Sequence, residues 1–242
     1  ANSPIQAGDD TVVIIHGHGG TAFSTLNPTV QEALLRNNTL NVIVVDWSLY
    51  ASLSYSNAVV VVPTVGNDLA EMLTMLAEAP YNLIEYSRLH IIGFNLGAHA
   101  AGFTGRRLGG RVARITGLDP SGSQWENNPN RLNTSAARYV EVIHTDSKSN
   151  GIGIPLGHVD FFASGGSNQP GCVLHICSHN RAYELFAASL TTGGLVGNHC
   201  ATTTQLNLNS CRGYTLELGT NLYDKDGSGI FRINTRRAYP YF

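Results

Sequence analysis

The chain has 242 residues, 43% of them hydrophobic and only 13% charged, with a formal net charge of −2. That length suits one large domain or two small ones and buries enough surface to hold a core without a staple. Low charge at ordinary hydrophobicity excludes disorder, a near-neutral balance without a basic block excludes nucleic acid as the main partner, and no apolar run nears the roughly 18 residues of a membrane span, the longest being Val59–Val62.

Alternating apolar runs and helical spacings predict the elements in order. Thr11–Ile15 is a β-branched strand ending at His16-Gly17. Asn27–Asn37 has helical spacing, and Asn41–Val45 is a buried strand closed by Asp46-Trp47. Tyr55–Ala79 is mostly helical, with four valines before Pro63. Leu89–Phe94 is a strand, Leu96–Leu108 a helix, and Arg114–Leu118 and Tyr139–His144 are strands. Residues 147–171, rich in Gly, Ser, Asn and Pro, read as surface loop. Asn180–Leu190 is a helix, and 213–234 reads as two short strands joined by a turn. Continuous apolar strands alternating with helices predict an α/β fold, a mostly parallel sheet covered on both faces.

The chain begins at Ala1 and reads as processed. Its four cysteines, Cys172, Cys177, Cys200 and Cys211, allow three pairings. No zinc-type spacing appears, so no metal and no cofactor is expected. Asn37 and Asn133 open N-glycosylation sequons. With the even cysteine count these favour a secreted protein.

The segment Gly93-Phe-Asn95-Leu-Gly97 ends a strand and opens a small-residue helix. In α/β-hydrolases such a G-x-S-x-G turn lifts a serine onto its tip. Here the tip is Asn95. Carried on from that turn, the sequence resembles the pancreatic-type lipase family, which includes triglyceride lipases, venom phospholipases A1 and insect yolk proteins. The matching stretches are Val13–Gly17, Val44–Trp47, Ile92–Gly102, Gly105–Arg107, Arg114–Pro120, Val142–Asp146, Gly157–Phe162 with Gly165-Gly166, and Cys177–Arg181. They run in family order over nearly the whole chain.

The resemblance implies an α/β-hydrolase fold and a triad with Asn95 at the nucleophile position, Asp119 as acid and His179 as base. The oxyanion hole would be the backbone N–H groups of His18 and Leu96. His144, His158 and Asp46-Trp47 would be structural. Family analogy pairs Cys172 with Cys177 around a lid of only Val173–Ile176, and Cys200 with Cys211. It also makes 1–242 a single lipase-like domain without the family's N-terminal strands and C-terminal β-sandwich. Asp224–Gly229 resembles half a calcium loop, but Thr235 stands where a glutamate is needed, so a polar turn is expected.

Asn95 decides the functional expectation. Acyl transfer needs a hydroxyl that a histidine can deprotonate, and a carboxamide has none. The main expectation is therefore a non-enzyme: a secreted storage or carrier protein, with a hydrophobic small molecule (lipid, pigment or hormone) or a second polypeptide over Asn95 and His179. The alternative is an active lipid esterase or phospholipase A1-like hydrolase with an atypical centre. In that case His179 activates water directly, or Asn95 deamidates to an aspartate.

Overall fold

The computed structural model describes residues 5–36, 38–220 and 223–242. Asn37, one of the two sequon asparagines, lies outside the described residues. Its strands form one nine-stranded sheet in the order β2-β1-β3-β4-β5-β6-β9-β7-β8. The strands are β1 (Asp10–Ile15), β2 (Leu40–Val45), β3 (Leu89–Phe94), β4 (Arg114–Leu118), β5 (Tyr139–His144), β6 (Val159–Ala163), β7 (Val196–Cys200), β8 (Thr215–Glu217) and β9 (Gly229–Ile233). All neighbours from β2 to β9 in that order pair parallel, while β7 and β8 close the edge antiparallel. The helices are α1 (Leu26–Leu35), α2 (Ser48–Ala51), α3 (Tyr55–Ala77), α4 (Leu96–Arg107), α5 (His175–Thr191) and α6 (Thr203–Asn207).

The central strands are apolar on both faces because helices cover both. On one side Val13, Ile15, Ile91 and Ile115 pack with Val62, Leu69 and Leu73 of α3 and Ala100 of α4. On the other, Ile14, Ile92, Ile143 and Phe161 pack with Val30 and Leu34 of α1 and Leu185 and Phe186 of α5. The expected α/β architecture is thus present.

Four features differ from the sequence expectation. Val159–Ala163, expected within a loop, is a central strand with every residue buried. Helix α5 starts at His175 rather than Asn180, which places His179 in its second turn. The strands expected as one hairpin are not neighbours, because β9 inserts between β6 and β7 while β8 pairs only with β7. And α3 does reach the length and apolarity of a span, with a mean hydropathy of 1.3 over its best window. A third of that window is buried, and Ala58, Val62, Val65, Gly66, Leu69, Ala70 and Leu73 face the core, so this part of the apolarity serves packing. Pro63 is accommodated inside this helix.

The Asp224–Gly229 segment is the polar connection into β9, and its Lys225 is drawn inward to Glu141 at 2.6 Å. Thr235 hydrogen-bonds with Ser164, its Oγ1 and the Ser164 Oγ lying 2.8 Å apart.

Candidate active site

The parallel register brings the carboxyl ends of β1, β3 and β4 side by side. Phe94 of β3 stands opposite Leu118 of β4, so Asn95 and Asp119 are the next residues on adjacent strands. Both leave the sheet with positive φ, 55° at Asn95 and 40° at Asp119. Such a conformation is uncommon for a side-chain-bearing residue, and Asn and Asp tolerate it best. The turn at Asn95 is held by its own N–H on Leu118 O (3.1 Å) and by Ser121 N–H on its carbonyl (3.3 Å). Helix α4 starts at once, at Leu96.

Asp119 is fully buried. Its Oδ1 accepts the N–H groups of Thr145 (2.7 Å) and Asp146 (3.0 Å). Its Oδ2 lies 2.5 Å from His179 Nδ1. The His179 ring also rests on the Phe94 ring, centroids 4.4 Å apart. The imidazole is thereby fixed in position and orientation, with Nδ1 committed to the carboxylate and Nε2 left over. His18 N–H donates to Asn95 Oδ1 at 3.1 Å. Leu96, as the first residue of α4, has an N–H with no acceptor inside its own helix. The sequence-derived set of Asn95, Asp119, His179, His18 and Leu96 therefore converges at one place on the molecule.

The supporting residues sit around this core. Trp47 stacks on His16 and donates its Nε1–H to His16 O at 2.8 Å, which anchors the loop that carries His18. His144 shares a 2.8 Å bond with Asp160 and stacks on Phe162. His158 Nδ1 accepts Val140 N–H at 2.9 Å. Within α4, His99 stacks on Trp125, and burial holds its pKa at about 3. Tyr55 meets Ser121 Oγ at 2.6 Å, and burial raises its phenol above the usual range.

A further histidine–carboxylate pair, close in sequence to His179, went unseen in the sequence. His175 Nδ1 lies 2.7 Å from Oδ1 of the fully buried Asp146, one helical turn before His179. The available signal was the i, i+4 spacing of the two histidines, which places them on one face of a helix. Among the described residues, Asp119, Asp146 and His179 are the one group of metal-ligating type, their ligand atoms lying within 4.8 Å of one another. All three are engaged by donors or acceptors of the protein itself.

Both expected disulfides are present, Cys172–Cys177 and Cys200–Cys211. The first closes a strap that leads into α5. Its apolar side chains point outward, Val173 being 97% exposed, Leu174 67% and Ile176 55%. Phe23, on the loop after His18, is equally bare. An open pocket of about 860 Å³ between α1, α5 and Tyr239 and Tyr241 has neither Asn95 nor His179 in its lining.

Comparison with known proteins agrees with this geometry. The Lipase family model matches residues 1–222. The chain belongs to the lipase family, and its fold is that of the α/β-hydrolases. Phospholipase A1 member A of Rattus norvegicus is 40% identical over 213 residues, covering 83% of this chain and 46% of that protein. Pancreatic lipase-related protein 2 of Cavia porcellus is 36% identical over 215 residues, covering 83% and 48%. The chain thus spans about half the length of these relatives. Among solved structures, an alpha/beta hydrolase enzyme from a Medee basin deep-sea metagenome library overlaps 60% of this chain and 59% of its own, with TM-score 0.42 and 18% identity.

These relatives correct the expectation of a non-enzyme. That expectation rested on one side chain, Asn95. The proteins 36–40% identical to this chain bear the names of a phospholipase and a lipase-related protein, which points to an enzyme. The physical reason the inference failed is that losing a hydroxyl removes one route to ester cleavage but leaves the base and the backbone donors untouched.

Proposed function

We propose that this chain is a secreted hydrolase of lipid carboxylic esters, phospholipids foremost, that cleaves them with water activated by His179. The observation that carries this reading is the 2.5 Å bond between His179 Nδ1 and Asp119 beside the His18 N–H donor. With Nδ1 occupied, Nε2 is the proton acceptor. Water deprotonated there attacks the ester carbonyl, and the oxyanion forms on the N–H groups of His18 and Leu96. A preorganised donor of this kind is worth roughly 10²–10³ in rate. In the resting state Asn95 Oδ1 holds the His18 N–H, so the substrate carbonyl displaces the carboxamide on binding.

Several features support lipid as substrate. Phe23, on the loop that carries His18, and Val173, Leu174 and Ile176, in the strap that leads into the helix of His179, are exposed apolar side chains. The relatives named above are a phospholipase A1 and a pancreatic lipase-related protein. Two disulfides suit an oxidising compartment. In this reading residues 1–242 act as one lipase-like domain, glycosylated at Asn37 and Asn133.

The test is hydrolysis of p-nitrophenyl butyrate and of phosphatidylcholine vesicles. Turnover that resists serine-hydrolase reagents and disappears in His179→Ala is expected. A folded wild-type protein that turns over neither substrate overturns the proposal.

A further inference from the structure

The oxyanion position is already filled, and what fills it is the protein's own amide. Asn95 Oδ1 accepts His18 N–H at 3.1 Å, the bond a substrate carbonyl would make. The residue is confined there. Its backbone is bonded at both ends of the turn, and it is only 8% exposed. A Cβ built on Gly17 would come within 2.6 Å of Asn95 Cβ, so the facing loop packs directly against the carboxamide stem. His179 stands over the adjacent Phe94 ring, oriented by Asp119. A carboxamide polarised by a backbone N–H donor, at the residue that follows the Phe94 on which the oriented His179 imidazole rests, has the parts that hydrolysis of a bound amide requires.

We propose that Asn95 is a self-modification site: the chain hydrolyses its own Asn95 carboxamide to a carboxylate, once per molecule, with release of ammonia. The inference rests on the reading of His179 as base. His179 Nε2 takes a proton from water, and the hydroxide adds to Asn95 Cγ. The Oδ1 oxygen becomes the oxyanion, held by His18 N–H and the Leu96 N–H. The imidazolium returns its proton to the amide nitrogen, the Cγ–Nδ2 bond breaks, and ammonia leaves. The carboxylic acid then ionises, and ammonium forms in solution. Water supplies the added oxygen and hydrogens, and no oxidant or co-reactant is needed.

An amide is a far poorer substrate than an ester, but the event occurs once and needs no turnover. The product also fits its place better than the starting amide. A carboxylate on backbone N–H groups at the start of the twelve-residue helix α4 gains charge-assisted bonds and a favourable helix dipole. The competing route is attack on Cγ by the Leu96 backbone nitrogen. It ignores His179 and gives a mixture containing β-linked aspartate. Direct hydrolysis gives the α-linked product only.

The experiment follows purified full chain during incubation near neutral pH by peptide mapping and mass spectrometry, in ordinary and in heavy-oxygen water. The Asn95 peptide is expected to acquire the mass of an aspartate, to take up one heavy oxygen, and to co-elute with the same peptide from an Asn95→Asp variant. In His179→Ala and in Asp119→Asn conversion should slow at least ~10²-fold, the usual weight of a general base. Using both variants keeps the result readable if one of them fails to fold. A peptide that stays unconverted, a β-linked product, or equal rates in wild type and both variants overturns the inference. The mass readout is independent of ester turnover. Ester cleavage without conversion removes this inference alone; absence of ester cleavage in material that mass shows to be still unconverted, followed by conversion on incubation, removes only the lipid reading.

Discussion

At the scale of single residues, Asn95 separates the architecture of the site from its chemistry. The turn that presents it, the Asp119–His179 pair and the His18 N–H are all in place, and only the hydroxyl is missing. Asn95→Ser is therefore expected to raise p-nitrophenyl ester turnover by at least ~10²-fold and to confer sensitivity to serine-hydrolase reagents, since a covalent nucleophile is worth up to about 10⁶. Initial-rate assays with and without a fluorophosphonate check this. A folded variant no faster than wild type would show that His179 cannot reach the tip of the turn. The neighbouring Gly97 matters for a different reason. A Cβ there would collide with the carbonyl oxygens of Ile15 and His16, so Gly97→Ala must push α4 off the end of β1. Overpacking of this kind costs roughly 1–3 kcal/mol, and urea denaturation should read that loss together with lowered ester turnover. The site was legible in the sequence to the extent that its residues follow strand ends in a recognisable order. The His175–Asp146 pair was not, because its only local signal was a helical spacing in a stretch expected to become helical only from Asn180.

At the scale of elements, the sequence showed strands wherever apolar runs stood alone and failed where polar context surrounded them. Val159–Ala163 was lost among the glycines and serines of 147–171, although it lies between β5 and β9 with every side chain buried. The order of β6, β9, β7 and β8 was not readable at all, since it depends on a long-range network rather than on a turn. Arg114 of β4 and Lys225 both bond the fully buried Glu141 of β5, at 3.1 and 2.6 Å, and Gly219 N–H adds a third contact at 2.8 Å. Burial alone would raise the Glu141 pKa, but Lys225 and Arg114 outweigh it and hold the carboxyl below its ordinary value. Glu141→Ala leaves two cations facing each other in the interior. It is expected to cost roughly 3–5 kcal/mol, as for other broken buried pairs, and to increase hydrogen exchange first in 215–229. Unchanged stability would mean that water or another acceptor replaces the carboxylate. The strap into α5 behaves differently. Replacing Cys172 and Cys177 by serine removes a short loop closure worth about 2 kcal/mol in the unfolded chain. The midpoint of thermal unfolding should fall modestly, and ester turnover should fall more, because α5 carries His179.

At the scale of the whole molecule, buried histidines set the response to acid. His99 is fully buried, and its pKa is lowered to about 3, mainly by burial, with Arg131 and Arg106 adding to the effect. Its two ring nitrogens show why protonation is resisted: Nε2 bonds Ser121 O at 2.8 Å while Nδ1 accepts Leu132 N–H at 3.2 Å, so a second proton would break the latter bond. His90, also fully buried, bonds Thr116 at 2.8 Å, and burial, with Arg114 and Lys225 nearby, pushes its pKa well below the ordinary value. Both histidines ionise near 6.5 once unfolded. Below that pH the unfolded chain binds two protons that the native chain refuses, so stability falls as pH falls. Each refused proton contributes a slope of about 1.4 kcal/mol per pH unit. Glu141 acts in the same direction lower down. Its folded pKa lies below the unfolded 4.5, so its contribution is present above that value and is lost as pH drops through the folded one. His99 contributes this slope only between about 6.5 and its folded value of about 3, so the two histidines bring a domain at the lower end of the typical 5–15 kcal/mol to its unfolding midpoint about 2 pH units below the histidine range. Urea denaturation at steps from neutral pH downward is expected to show a slope near 3 kcal/mol per pH unit, the sum of two such sites. In His99→Gln the slope should fall by about half, because one refused proton is removed. A stability profile that stays flat between about pH 6 and pH 5 would mean that both imidazoles take up protons in the native state.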